Sequence, residues 1–236
     1  TEQTSELSIP YMGTYWSRQF AVTSYPLWGF EGVGLFSYLY HEYVPAMSAA
    51  LVQGQGPSGV PEESDYRMRV TAMAFGLTRG TTLIPFDHDV LLAGGDSWHR
   101  NVSAAFFSFA GVSAAFPEWL VLGESVVPPA LGCANLSAWY FRHDARTGNV
   151  TKQPIVLRSA VVGSFRADDG TTGTVVASVT HQPQTVSIPS VGARVLYDGR
   201  RTELQRWSAG AAPTAVECEL AGFGVCFLVA KAGAPE

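Results

Sequence analysis

One stretch of the sequence is Val33-Gly-Leu-Phe-Ser-Tyr-Leu-Tyr-His-Glu-Tyr-Val44. It contains an apolar run of strand-forming residues that is followed by two ionisable groups, His41 and Glu42. A strand that is buried on both faces has such a near-continuous apolar run. In parallel α/β folds, the C-terminal ends of the strands carry the chemistry. The stretch therefore predicts a buried strand with an acid and a base at its functional end.

A second strand with a polar end is predicted at Thr81–Pro85, because Asp87, His88 and Asp89 follow it closely. Between the two strands the pattern predicts a short helix over 43–53, a Gly- and Pro-rich loop over 54–61 and a second helix over 62–77. Strand, helix and strand in this order form a βαβ unit. The sheet is therefore predicted to be parallel.

The second helix and the one that follows Thr81–Pro85 each have a defined end. Gly76 and Gly80 bracket the end of the helix over 62–77. A further helix is predicted from 97 to 116, with an Ala- and Phe-rich face, and Pro117 closes it. A shorter segment over 118–122 then leads to Pro128-Pro129, where we predict the domain boundary.

The pattern changes to short strands after about residue 131. Strands are predicted over 136–142, 155–166, 173–180, 184–188, 193–197 and 223–230, with turn signals at Asp168-Asp-Gly and Tyr197-Asp-Gly. Regular short strands with turns between them are typical of an antiparallel β-sandwich. The chain is therefore predicted to be α/β over 1–128 and all-β over 129–236.

Composition limits the classes of function. The chain has 236 residues, 47% hydrophobic and 15% charged, with a net charge of −5, so it can bury a sizeable core. It carries no basic patch, which argues against nucleic acid as a partner. No apolar run reaches the roughly 20 residues of a membrane-spanning helix. The start at Thr1 has neither an initiator Met nor a signal peptide, which indicates a processed product or a fragment.

Cysteines and sequons point towards secretion. Cys218 and Cys226 flank a plausible hairpin and could form a disulfide across it, which would leave Cys133 unpaired; three buried thiols are the alternative. Three glycosylation sequons are present. We therefore expect a secreted, extracellular glycoprotein. The sequon asparagines are Asn101, Asn135 and Asn149.

The residues before the organising strand have loop composition with several groups suited to sugars. Glu2 and Glu6 are carboxylates, and Trp16 and Arg18 stand close together in a segment rich in aromatic residues. Aromatic faces stack on sugar rings, and Arg and carboxylates hold hydroxyl groups. A surface loop pinned by buried aromatic side chains is the alternative interpretation.

Glycoside hydrolysis is the reaction that these groups suggest first. It needs two carboxyl groups on either side of a glycosidic bond, roughly 5–5.5 Å apart for retention and roughly 6.5–9.5 Å apart for inversion. A metal site is disfavoured, because the adjacent His41 and Glu42 point to opposite faces of a strand and no ligand spacing is present. No cofactor or phosphate-binding loop is predicted. The carboxylate candidates are Glu2, Glu6, Glu42, Asp87 and Asp89.

The order of elements resembles the C-terminal part of a glycoside-hydrolase-like TIM-barrel protein with an appended β-sandwich. The all-β tail carries the strongest likeness, with Val161-Val-Gly-Ser-Phe-Arg, Gly173-Thr-Val-Val-Ala-Ser and the closing Gly224-Val-Cys-Phe-Leu-Val. By resemblance, 35–42 and 81–87 would be the seventh and eighth strands of a (β/α)8 barrel. The likeness rests on pattern rather than on a diagnostic motif.

The resemblance implies roles for the strand-end groups and an incomplete barrel. Glu2 or Glu6 would be a catalytic carboxylate, with Glu42 and Asp87 in the cleft and with Trp16, Arg18, His41 and His88 binding carbohydrate. A barrel needs about 250 residues, whereas residues 1–128 supply only its last βα units. Another polypeptide or a missing N-terminal segment is therefore expected to complete the barrel.

Two non-catalytic functions remain as alternatives. The chain could be a structural or adhesive extracellular glycoprotein in a larger assembly, with the barrel-like part as scaffold. The sandwich could also be a carbohydrate-binding module, with Trp139, Tyr140 or Trp207 as its sugar-stacking residues. A pair of carboxyl groups at glycosidase distance in an open cleft would distinguish the enzyme from both.

Overall fold

The computed structural model describes residues 15–16, 46–50, 70–71, 73–85, 97–143, 147, 149–189, 192, 194–208, 211 and 213–231. Within these ranges the chain is mostly β-sheet, with few helices. The strands are numbered β1–β13 and the helices α1–α3 in chain order.

The N-terminal strands form a three-stranded parallel sheet. Its strands are β1 (Tyr15–Trp16), β2 (Ala46–Ala50) and β3 (Thr82–Pro85), and their order in the sheet is that of the chain. The parallel arrangement and the strand predicted at Thr81–Pro85 are confirmed. The helix predicted over 43–53 is wrong. Its Ala- and Met-rich sequence favours a helix, but pairing with a strand on each side overrides that propensity.

Helices precede and follow β3. Helix α1 includes residues 70–71 and 73–78, and it ends at Gly80, whose φ of 69° is left-handed. The amide of Gly80 donates to the Leu77 carbonyl, and the amide of Thr81 donates to the Gly76 carbonyl. These two bonds form a Schellman motif, which satisfies carbonyl groups that the helix end leaves open. The sequence-predicted end of this helix is therefore confirmed.

Two helices connect β3 with the antiparallel strands. Helix α2 (Ser97–Ala115) matches the helix predicted over 97–116, and α3 (Pro117–Leu120) follows after Phe116. Pro117 lies at the first position of α3, where the missing N–H group costs nothing. None of the helices in the described ranges is long and apolar enough to cross a membrane.

A six-stranded antiparallel sheet dominates the rest of the chain. Its order is β11-β10-β13-β8-β7-β4. Strand β4 precedes Pro128, so this sheet takes one strand from the N-terminal side of the predicted boundary. The strands are β4 (Glu124–Val126), β7 (Ala160–Arg166), β8 (Thr172–Ser178), β10 (Arg194–Asp198), β11 (Glu203–Trp207) and β13 (Val225–Ala230).

Two further antiparallel pairs accompany this sheet. They are β5 (Asn135–His143) with β6 (Val150–Arg158), and β9 (Gln184–Pro189) with β12 (Ala215–Leu220). The single strand predicted over 155–166 is wrong. The chain leaves one sheet at Ser159, whose amide donates to the Ala134 carbonyl, and enters the next as β7.

The central strands of the six-stranded sheet are buried on both faces. One face packs against α1, α2 and α3 in a core that includes Met73, Phe109, Phe116 and Phe227. The other face packs against the β9–β12 pair, in an aliphatic core. Every side chain of β8 from Gly173 to Ser178 is therefore buried. The helices and the six-stranded sheet therefore share one hydrophobic core.

Candidate functional site

The C-terminal edge of the parallel sheet is where the sequence places its candidate groups. Trp16, the last residue of β1, lies level with Met47 of β2 and, through it, with Thr82 of β3. Strands β2 and β3 run on together to their paired ends at Ala50 and Pro85. Trp16 therefore lies three residues before the paired ends of β2 and β3, and only these two strands share the C-terminal edge of the described sheet. Parallel α/β folds bind their ligands at such an edge.

The position of each predicted residue relative to that edge follows from the chain. Trp16 ends β1, and Arg18 comes two residues later in the sequence. Asp87 and His88 follow Pro85 at the end of β3. Outside the described residues lie Glu2, Glu6, Arg18, His41, Glu42, Asp87, His88 and Asp89.

His41 and Glu42 do not follow the described strand of their region. Strand β2 begins at Ala46, after both residues in the chain, and its C-terminal end is Ala50. The strand predicted from Val33 lies outside the described residues. The acid and base expected at the end of that strand, His41 and Glu42, therefore stay a prediction.

Two carboxyl groups in the described part of the chain accept hydrogen bonds that favour their charged forms. The hydroxyl and the amide of Thr171 donate to Asp169 and lower the pKa of that carboxyl. A hydrogen bond from Arg206 lowers the pKa of Glu203. A general acid needs the opposite shift. The described residues also hold no group of His, Cys, Asp and Glu that could bind a metal ion.

The predicted glycosylation sites differ in their surroundings. Asn135 begins β5 and is exposed, as is Ser137 of the same sequon. Asn149, just before β6, is also exposed, and its amide donates to the Thr147 hydroxyl. Asn101 lies within α2. Asn135 and Asn149 are therefore accessible to solvent in the folded chain.

The cysteines are three free thiols in the structure. Cys218 and Cys226 do not face each other across a hairpin, so that part of the prediction is wrong. Strand β12 pairs with β9, and β13 pairs with β8 and β10, so the two cysteines belong to different sheets. Their thiols are nonetheless neighbours and share a hydrogen bond.

The main polar contact between the helices and the sheet has no signal in the sequence. Arg201 binds both carboxylate oxygens of Glu118 and donates to the Ala115 carbonyl at 2.8 Å. Its guanidinium carbon lies 5.4 Å from the ring centre of Phe116 and 5.6 Å from that of Trp119. Arg201 thus joins the β10–β11 turn to α2 and α3. Only the turn itself had a signal, in Tyr197-Asp-Gly-Arg.

Neither protein-family models nor curated proteins match this sequence. Solved glycoside hydrolases are similar in structure. An endoxylanase of family GH30 from Clostridium papyrosolvens has a TM-score of 0.46 and 9% identity, over 97% of this chain and 51% of its own. The α-galactosidase I of Mortierella vinacea has a TM-score of 0.39 and 9% identity, over 82% and 41%.

A β-L-arabinopyranosidase of family GH27 from Geobacillus stearothermophilus has a TM-score of 0.39 and 8% identity, over 98% of this chain and 47% of its own. This chain therefore spans about half, or less, of the length of these three structures. The chain is loosely similar in fold to glycoside hydrolases.

Proposed function

We propose that this chain is the C-terminal part of a carbohydrate-active, glycoside-hydrolase-like protein. Strands β1, β2 and β3 would be late strands of a (β/α)8 barrel, and residues 129–236 a C-terminal β-sandwich. The observation that carries the proposal is the order of elements. Parallel strands lie side by side in chain order, helices follow β2 and β3, and antiparallel strands come after them. A strand–helix alternation of this kind builds a TIM barrel.

The proposed site lies at the C-terminal edge of the parallel strands, where TIM-barrel enzymes bind their substrates. Asp87 is the preferred catalytic carboxylate, because it follows Pro85 at the end of β3 almost directly. Trp16 would stack on a sugar ring, and Arg18 and His88 would bind hydroxyl groups. His41 and Glu42 precede β2 in the chain, so the segment before β2 would have to bring them to this site.

A second carboxyl group is required for hydrolysis. One carboxylic acid protonates the oxygen of the leaving sugar, while the other carboxylate attacks the anomeric carbon or activates a water molecule that does so. Glu2, Glu6 and Glu42 are the proposed partners of Asp87. With one of them missing from the cleft, the same edge would bind glycans without cleaving them.

The proposed barrel needs further βα units from outside the described strands. Among these strands, β1 and β3 are the outer members of the parallel sheet. Parallel sheets occur almost only with both faces covered, and closing them into a barrel removes their edges. We propose that an N-terminal segment or another polypeptide supplies the remaining strands.

Asp87→Asn is expected to lower kcat/KM for glycoside hydrolysis by about 100-fold or more, the usual effect of removing an acid–base group. The measurement is the hydrolysis of a panel of aryl glycosides by the protein with all its barrel units, together with binding to a glycan array. Asp168→Asn is the matched control, because Asp168 lies in the exposed β7–β8 turn. This control should change neither the hydrolysis of glycosides nor the binding to glycans.

Three outcomes of these measurements would change or contradict the proposal. Full activity in Asp87→Asn, with loss in Glu42→Gln, would move the catalytic role to Glu42. Glycan binding without hydrolysis in the unmodified protein would indicate a binding function. Neither binding nor hydrolysis would contradict a carbohydrate-active protein and favour the adhesive, structural role.

We propose further that the protein is secreted and carries N-linked glycans. Asn135 and Asn149 are exposed, so each should carry a glycan when the protein is expressed through a eukaryotic secretory pathway. Peptide-N-glycosidase should then lower the mass of the unmodified protein by two glycans, and that of Asn135→Gln or Asn149→Gln by one fewer. A secreted protein whose mass does not change on this treatment would contradict the prediction.

A further inference from the structure

Cys218 and Cys226 meet between two sheets. Cys218 lies on β12, opposite Val186 of β9, and Cys226 lies on β13, opposite Val176 of β8. Both side chains are only 1% exposed. The core that surrounds them is otherwise aliphatic, and it includes Leu131, Val176, Val186, Ile188, Val216 and Leu228.

The two thiols are close enough to share a hydrogen bond, and burial is the main cause of a raised pKa at Cys226. The thiolate is the form that attacks a disulfide, so this dithiol is unreactive once the core has closed. A disulfide needs a sulfur–sulfur separation of about 2 Å with the two Cβ atoms about 4 Å apart. In the structure the two cysteines are free thiols that lie in the same core between the two sheets.

We infer that Cys218 and Cys226 form a disulfide that joins the β9–β12 pair to the six-stranded sheet, and that it forms during folding, before this core closes. The oxidant is a small-molecule or enzyme-borne disulfide, which the oxidising secretory pathway supplies. The thiolate of one cysteine attacks it and expels one thiol. The second cysteine then attacks the mixed disulfide and expels the other thiol. Two protons and two electrons leave the protein as one S–S bond forms.

Cys133 is the other cysteine that could form a disulfide with Cys218 or Cys226. It is half-buried and packs against the same core, and its thiol contacts the Ala160 carbonyl at 3.7 Å. It lies just before β5, outside both sheets that the proposed disulfide joins. The inference therefore leaves Cys133 as the free thiol, and Cys133→Ser should not affect the disulfide.

The experiment compares two routes to oxidation. Cys133→Ser and the unmodified protein are refolded from denaturant in a mixture of reduced and oxidised glutathione. In parallel, the folded, reduced proteins are exposed to the same mixture. Free thiols are then counted after denaturation, the intact mass is measured, and peptides are mapped without reduction. Oxidation should occur on refolding, lower the mass by about 2 Da and link the Cys218 and Cys226 peptides, whereas the folded, reduced proteins should react far more slowly.

Reduction of the refolded protein should lower its Tm by about 5–10 °C, the shift expected for a typical disulfide in a domain of this size. Cys218→Ala and Cys226→Ala should show no such dependence on reductant. Should a variant fail to fold, the peptide map of the unmodified protein still decides. Two free thiols at these positions after refolding, or a disulfide that includes Cys133, would overturn the inference. Rapid oxidation of the folded, reduced protein would overturn its timing.

Discussion

Gly163→Ala is expected to lower the free energy of unfolding by about 3 kcal/mol, at the upper end of the cost of overpacking a core. Gly163 lies within β7, where the C-terminal turn of α1 rests directly on the strand. An ideal Cβ atom at this position would lie 1.7 Å from the carbonyl oxygen of Thr78 and 2.6 Å from its carbonyl carbon. Both are backbone atoms, so no side-chain rotation can relieve the overlap.

The contact matters because α1 cannot move away alone. Thr78 is itself buried, and its hydroxyl donates to the Phe75 carbonyl. The Schellman motif at Gly80 then leads the chain straight into β3. A displaced helix end would therefore shift the parallel strand that precedes Asp87.

Gly111→Ala is the matched control for this substitution. Gly111 lies on the exposed side of α2, and nothing comes within 4 Å of its ideal Cβ atom. Alanine there should raise the stability by about 0.5–1 kcal/mol, because glycine in a helix interior loses more backbone entropy on folding. Denaturant unfolding of both variants checks the pair. Equal small effects would show that α1 does not rest on β7.

The sequence predicts those elements whose local pattern and tertiary role agree. Helix α2 has a periodic apolar face and a proline just past its end, and both signals are local. Strand β3 is a short β-branched run followed by polar residues. Gly80 at the end of α1 is a third such case, because only a left-handed residue completes that turn.

The failures occur where distant partners determine the structure. Ala46–Ala50 has a helical composition and becomes a strand only through pairing with β1 and β3. Glu203–Trp207 shows no apolar alternation, because it is an edge strand with little to bury. The change of sheet at Ser159 has no local signal at all. The candidate site shows the same contrast between residues with a local sequence signal and contacts that depend on distant partners.

The strand-end residues of the site could be proposed from adjacency in the chain, as with Asp87 after Pro85. The contact of Arg201 with Glu118 could not, because the two residues are 83 positions apart in sequence. Cys218 and Cys226 are an intermediate case. Their spacing predicted that they would meet, but pairing with other strands placed them on different sheets.

Phe227→Ala is expected to cost about 3–5 kcal/mol, the usual range for truncating a buried phenylalanine. Phe227 is 0% exposed, and its ring stacks on Phe116 with 4.0 Å between ring centres and 8° between planes. Trp119 lies 5.4 Å away. The Phe227 ring also lies against Gly173, where an ideal Cβ atom would be 2.6 Å from it. Truncation therefore leaves a cavity lined by Phe116, Trp119 and Gly173.

Phe107→Ala controls for the loss of a phenylalanine as such. Phe107 lies on α2 with 61% of its surface exposed, so its truncation should change stability by less than about 0.5 kcal/mol. Thermal unfolding of both variants should show one transition, shifted downward in Phe227→Ala. One transition follows because Phe227 belongs to the sheet and Phe116 to the α2–α3 junction, so the cavity weakens both parts together. Two separate transitions would show instead that residues 1–128 and 129–236 fold independently, as the change of pattern near Pro128 predicts.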